Sequence, residues 1–148
     1  MTTSPGAEAW AWPAAGWITR AEMLTIPALE RSSPDRLPSE PSVSVLMMTR
    51  NHEAYLEQAV ASVLEQDLQE PFEILIGEDH SADGTLALAF HLQLCHPESI
   101  RVLHAEGNVG ITANFLRLVA RARAPVVALL EGDDYWTDPA KLRLQLAL

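Results

Sequence analysis

An α/β fold built on a parallel sheet is the architecture this sequence predicts, and three observations carry it. Short apolar runs rich in β-branched residues recur at residues 43–48, 72–77, 100–104 and 126–130. Between them lie segments whose apolar residues return at helical spacing. Each apolar run ends in a polar loop, and two of those loops are strongly acidic. Continuous apolar runs of this length are the mark of strands buried on both faces. Strand alternating with helix implies parallel strands, right-handed crossovers and helices on both sides of the sheet.

The elements follow in chain order. Residues 1–41 stand apart, because six of the ten prolines (Pro5, Pro13, Pro27, Pro34, Pro38, Pro41) and three of the four tryptophans (Trp10, Trp12, Trp17) fall there. Proline density of this kind opposes long helices and central strands. A mostly irregular arm is expected, with one helical turn around residues 21–25. Its tryptophans suit either docking to a partner or membrane surface, or packing back onto the domain. The domain proper is expected over residues 42–148. Its first strand, 43–48, is followed by a helix over 53–65 with Leu56, Ala59, Val60, Val63 and Leu64 on one face. A strand at 72–77 leads to a helix over 82–94, with Leu86, Ala89, Phe90 and Leu94 expected inside. The strand at 100–104 leads to a helix over 111–122, with Ile111, Phe115, Leu118 and Val119 inward. After the strand at 126–130, Pro139 sits where a first-turn helix proline belongs.

Composition narrows the function. The chain has 148 residues, 48% of them hydrophobic, and a formal net charge of −10. An acidic chain is a poor partner for a nucleic-acid backbone, which selects a basic face. Phosphate ligands stay possible, because a divalent cation bridges carboxylates to phosphates. No apolar run is long enough to span a bilayer and the N-terminus lacks a basic leader. A cytoplasmic, at most membrane-peripheral, location is therefore expected. The single cysteine, Cys95, permits no intrachain disulfide and is expected to be buried filler.

The chemistry gathers after the strands. Ligands of open α/β sheets bind beyond the carboxyl ends of the strands. Those ends carry Thr49-Arg50-Asn51-His52, Glu78-Asp79-His80-Ser81, Gly107-Asn108-Val109-Gly110 and Glu131-Gly132-Asp133-Asp134. Three carboxylates within four residues repel one another unless a cation or donors compensate them. Glu131, Asp133 and Asp134 are thus candidate ligands of Mg²⁺ or Mn²⁺, or else a solvated acidic turn. Gly132 is expected to let the backbone turn between them. Asp79 is placed to accept hydrogen bonds from a base or ribose, whereas Asp83 reads as a turn or helix-cap residue. His52 and His80 lie in the loops, with no metal-ligand spacing among the five histidines. Solvated or capping roles are expected for His91, His96 and His104.

At this point the ordered motifs resemble a family. VSVLMMTRNHEAYLEQAVASVLEQ is similar to the first strand, loop and helix of family 2 glycosyltransferases, with Thr49, Asn51, Tyr55, Leu56, Ser62 and Gln66 fitting. EILIGEDHSADGT resembles the second strand and its Asp-Asp-Gly-Ser-x-Asp-Gly-Thr loop. NVGITANF resembles the Asn-x-Gly segment, and ALLEGDDYWTDPAKLRLQ the Asp-x-Asp region. Arg50, Glu78, His80 and Glu131 depart from the usual residues of those motifs. The resemblance implies a GT-A, Rossmann-like sheet, incomplete at its C-terminus, and a nucleotide-diphosphate sugar donor. It assigns Thr49, Arg50, Asn51, Glu78, Asp79, Asn108 and Asp133 to the donor, and Glu131, Asp133 and Asp134 to a divalent metal, Mg²⁺ or Mn²⁺. It implies an inverting, metal-dependent transfer to an acceptor hydroxyl, with the general base expected beyond Leu148. The acceptor is not legible. Self-association through exposed apolar surface is a further expectation. The alternative is a non-catalytic nucleotide-sugar-binding or scaffold fragment. A phosphoacceptor domain is disfavoured, because no acidic pair follows the first strand.

Overall fold

The computed structural model describes residues 18–148; the arm tryptophans Trp10, Trp12 and Trp17 lie outside them. The elements run α1 (Arg20–Leu24), β1 (Leu29–Arg31), β2 (Val43–Thr49), α2 (Leu56–Leu64), β3 (Phe72–Glu78), α3 (Thr85–Cys95), β4 (Ile100–His104), α4 (Ile111–Arg121), β5 (Val126–Glu131) and α5 (Lys141–Leu146). The four apolar runs are strands, each ending within one residue of its expected end. The helical turn expected near residues 21–25 is α1, closed by a capping box in which Thr19 and Glu22 satisfy each other's backbone amides.

One sheet of order β1-β4-β3-β2-β5 organises the chain. β2 pairs in parallel with both β3 and β5, and β3 with β4. The expectation of a wholly parallel sheet over an irregular arm needs correcting, because β1 adds an antiparallel edge strand against β4. Three residues of no apolar pattern form it, because Arg101 of β4 grips Glu30 with a two-pronged pair at 2.9 and 3.1 Å. Arg31 also lies over the Phe90 ring of α3, 4.6 Å from its centroid.

The core has two halves. Val45, Met47, Ile74, Ile76, Val102 and Leu130 pack under α2, α3 and α5. Leu46, Leu75 and Leu103 pack on the other face against Leu118 of α4. α2 and α3 accompany the steps β2→β3→β4, and α4 accompanies the return to β5. Helices on opposite faces for opposite directions of travel are what right-handed crossovers require. α3 buries Thr85, Ala89, Leu92 and Gln93 but exposes Leu94, contrary to expectation. Ile111 is likewise 68% exposed, and α4 buries Asn114 and Arg117 in its stead. Cys95 is exposed rather than buried. His104 is half-buried and packs edge-on against Phe90 at 5.1 Å. α5 begins at Lys141, two residues past Pro139, and Asp138 accepts the Ala140 amide at 2.8 Å just before it.

The non-site end of the sheet is held by charge. Glu73 is wholly buried, and its carboxylate accepts from Ser44 Oγ (2.7 Å), Arg123 N (2.9 Å), Arg101 Nη1 (3.1 Å) and Arg123 Nε (2.7 Å). Burial raises the pKa of this group, but those hydrogen bonds and the charge of Arg101 outweigh burial and hold it below its ordinary value. At the opposite edge, β5 leaves Val126, Val127 and Leu129 uncovered at 43, 48 and 53% exposure. Val127 and Leu129 lie on the α4 face, where α4 packs against β2 and β3. No helix among the described residues is long and apolar enough to cross a membrane.

Candidate functional site

The strand order reverses beside β2. The chain moves outward through β3 and β4, then returns to pair β5 on the other side of β2. Crevices at such switch points, beyond the carboxyl ends of the strands, are where open α/β sheets hold ligands. Here the loops after β2 and β5 meet. Gly132 N donates to Met48 O at 2.8 Å, and His52 Nδ1 lies 3.2 Å from Thr49 Oγ1. His52 Nε2 stands 3.7 Å from Asp133 Oδ2. A Cβ on Gly132 would sit 2.6 Å from Thr49 Oγ1 and 3.0 Å from His52 Nδ1. Gly132 is thus required for close approach of the two loops. The expected need for unusual backbone freedom does not hold, since Gly110 is the sole glycine with positive φ among the described residues.

The loop after β3 is tied to both neighbours. Asn51 takes a left-handed backbone (φ 55°), which an asparagine tolerates better than most residues. Its amide donates to Ser81 Oγ at 2.9 Å and its Oδ1 accepts from Ala82 N at 2.8 Å. Glu78 is fully buried and folds back to accept from Ser81 N at 2.7 Å and His80 N at 3.2 Å. His80 is left-handed as well, at φ 56°. Of the turn and cap roles open to Asp83, it takes the turn, accepting from Thr85 N at 3.0 Å and Glu53 N at 3.3 Å, while Gly84 is the N-cap of α3.

Asp79 behaves differently from its expected role. It is 4% exposed, and its carboxylate accepts from Val109 N (2.7 Å), Asn108 Nδ2 (2.9 Å) and Gly110 N (3.0 Å). It therefore sits at the start of α4, where the helix favours an anion. The sequence suggests a carboxylate offered to a base or ribose; the structure shows one already engaged in fixing the Asn108–Gly110 turn.

The acidic loop after β5 is open to solvent. Glu131, Asp133 and Asp134 are all exposed. Asp134 N donates to Glu131 O at 3.1 Å, so the three acids lie around one turn. Glu131 and Asp134 line a shallow depression with Met48, Tyr135 and Trp136, while Asp133 faces His52. Among the described residues no three histidine, cysteine or carboxylate side chains converge to hold a metal ion. Glu131, Asp133 and Asp134 are not drawn together into one such group. Their oxygen donors suit a hard cation, but only as part of a shell that phosphate oxygens complete.

Two groups that matter were not singled out in the sequence. Asn114 Nδ2 donates to Gly77 O at 2.8 Å, and Arg117 Nη2 donates to Glu78 O at 2.7 Å. Both sit on α4 beneath the Glu78-Asp79 loop. Behind the site, Ser62 Oγ accepts from Trp136 N at 3.1 Å and Gln66 Oε1 from Leu142 N at 3.0 Å. These two residues of α2 thereby anchor the segment that follows the acidic loop.

Comparison with known proteins places this geometry. The model of glycosyl transferase family 2 matches residues 44–148. The putative teichuronic acid biosynthesis glycosyltransferase TuaG of Bacillus subtilis is 35% identical over 107 residues, 72% of this chain and 41% of its own length. An uncharacterized protein of Mycobacterium tuberculosis is 35% identical over 104 residues, 70% of this chain. This chain spans 30% of that relative's length. Among solved structures, S. aureus TarS 1-349 in complex with UDP-GlcNAc superposes with a TM-score of 0.61 at 25% identity, over 72% of this chain and 30% of that one. The mannosyltransferase PcManGT from Pyrobaculum calidifontis, in complex with GDP-Man and Mn²⁺, shares the fold at a TM-score of 0.63 and 20% identity, over 83% of this chain and 35% of that one.

Proposed function

From the premise that this chain belongs to glycosyl transferase family 2, we propose that it forms the donor-binding part of an enzyme that transfers a sugar, with inversion, from a nucleotide-diphosphate sugar to an acceptor hydroxyl. The observation that carries this reading is the crevice at the switch point, where Thr49 and His52 meet Gly132 and Asp133 across β2 and β5. TarS, alike over most of this chain, is solved with UDP-GlcNAc.

Each residue takes a role its position supports. Thr49 and Asn51 line the nucleotide side of the crevice, and the exposed Arg50 supplies a cation for the diphosphate. Glu78 and Asp79 shape the base-side wall by holding His80–Ser81 and Asn108–Gly110. Asp133, with Glu131 or Asp134, would hold Mg²⁺ or Mn²⁺ against the diphosphate. Such a cation neutralises the charge that develops on a leaving diphosphate. His52, 3.7 Å from Asp133, orients that carboxylate. The transfer requires the acceptor hydroxyl to attack the anomeric carbon and give its proton to a general base, while the diphosphate departs with the electron pair of the broken bond.

Calorimetry of the whole chain with UDP and with GDP, with and without Mn²⁺, tests the proposal. We expect binding that strengthens with the metal and is lost or weakened at least tenfold in Asp133→Ala. Binding indifferent to both Mn²⁺ and Asp133→Ala would remove the metal assignment. No binding of either nucleotide would remove the donor site itself.

A further inference from the structure

Arg117 is a guanidinium with no exposed surface, set on α4 inside the core. Taking a cation out of water is costly unless partners replace the water. Its partners therefore show what it is for. Nε donates to Asn114 Oδ1 at 3.0 Å, Nη2 to Glu78 O at 2.7 Å and Nη1 to Pro27 O at 2.9 Å. Asn114 in turn donates to Gly77 O at 2.8 Å. The ladder between β3 and β4 ends at Gly77↔Leu103. Where strand pairing stops, this side-chain pair takes up the carbonyls that lead into the Glu78-Asp79 loop.

The close approach is built in. A Cβ on Gly77 would lie 2.5 Å from Asn114 Oδ1 and 2.9 Å from Leu118 Cδ1. Asp79 accepts the Val109 and Gly110 amides just before α4. Burial pushes the Arg117 pKa down, opposed by the nearby negative charges of Asp79 and Glu78. The loop is thus held to α4 at two points, one at the helix start and one at Arg117. The Pro27 contact extends the link to the segment before β1, which further bonds join to the same helix. Arg121 Nη2 donates to Leu24 O at 3.3 Å, and Arg20 Nε to Ala120 O at 3.0 Å.

We infer that Arg117 is a positioning residue of the donor site, fixing the Glu78-Asp79 loop through the Glu78 carbonyl and coupling that loop to the α1–β1 segment through the Pro27 carbonyl. This rests on reading the crevice as a nucleotide-diphosphate site. It goes beyond that reading by assigning the proline-rich segment a task. β1 lies at the far edge of the sheet, with β4 and β3 between it and β2. Its segment supports nucleotide binding without touching nucleotide.

The test compares Arg117→Met, which keeps the stem and loses the donors, with Arg117→Lys, which keeps the charge. Amide hydrogen exchange of the ligand-free chains comes first. Ser81, Ala82, Val109 and Gly110 should exchange at least tenfold faster in Arg117→Met, with Val45, Ile74 and Leu75 unchanged and Arg117→Lys in between. UDP affinity in Mn²⁺ should fall roughly ten- to a hundredfold in Arg117→Met, the range for losing an outer-shell partner, with partial recovery in Arg117→Lys. Faster exchange spread evenly over the strands, or normal UDP affinity in folded Arg117→Met, would make the residue merely structural and overturn the inference. If Arg117→Met does not fold, Arg117→Lys carries the exchange comparison. In that event UDP is also added to the wild-type chain, and residues 28–31 should gain protection; no gain overturns the coupling. Failure of the wild-type chain to bind UDP sinks the donor-site reading, while the ligand-free exchange still judges Arg117.

Discussion

Replacing Glu73 with glutamine tests whether the charge cluster at the base of the sheet is what secures its outer elements. The carboxylate is wholly buried and takes four hydrogen bonds, two from Arg123, one from Arg101 and one from Ser44. Glutamine keeps the shape but turns a donor toward two guanidinium groups. Removing one partner of a buried pair costs about 3–5 kcal/mol. The lower end applies here, because Arg101 keeps Glu30 and the Arg123 side chain, 34% exposed, can reach water. The loss should be about 3 kcal/mol, or a fall of roughly 6–12 °C in Tm for a chain of about this size. The acid response sharpens the test. Glu73 titrates below its ordinary value in the folded chain. Its contribution is thus fully present above the unfolded value, 4.5, and is lost as pH falls from there through the folded value. Glu30, held down by Arg101 against its own burial, adds to the same slope. Urea unfolding at pH 7 and at steps below pH 4.5 reads both effects. Glu73→Gln should be less stable at neutral pH and lose stability less steeply in acid. A loss under about 1 kcal/mol, or an acid slope equal to that of the wild type, would refute the reasoning. UDP binding by the folded variant should be unchanged, since Glu73 sits at the end of β3 away from the crevice.

Two further outcomes follow from the same geometry. Gly132→Ala should cost about 1–3 kcal/mol, the usual range for overpacking, because its Cβ meets Thr49 Oγ1 and Cβ at 2.6 and 2.8 Å; urea unfolding reads the loss, and UDP titration should show weaker binding as the two loops part. Leu129→Lys should change stability by under roughly 0.5 kcal/mol, as a surface substitution does, since Leu129 is 53% exposed; light scattering should show less self-association than in the wild-type chain, and equal association would clear the β5 face of that role.

How much of this was legible in the sequence depends on what each residue's neighbours are. The four parallel strands read clearly, because a strand buried on both faces must be apolar throughout. β1 did not, because its pairing depends on Arg101 reaching Glu30 across the sheet, and Leu29–Arg31 carries no local pattern of its own. α3 is apolar nearly all round, so spacing alone could not choose between Leu94 and Leu92 for the inside. On α4, a search for an apolar face passes over the buried residues Asn114 and Arg117, whose partners are backbone carbonyls 37 and 39 positions away or in the arm. The loops that gather the candidate site were legible as loops. Their division of labour was not, because Asp79 and Glu78 look the same in sequence whether they face a ligand or hold backbone amides.

The return of β5 to the side of β2 has a consequence for the order of assembly. β2, β3 and β4 pair with neighbours in sequence, whereas the hydrogen bond from Ala124 N to Ser44 Oγ joins groups 80 positions apart. Closing so long a loop gains nothing until the late strand docks, which makes such pairings slow. The crevice lies at that seam. A nascent chain could thus stack three strands and two helices and still lack the crevice, until Asp133 has been synthesised and β5 has zipped onto β2. The crevice would form late and in one step, and that step would cover the apolar edge of β2 that earlier intermediates leave bare.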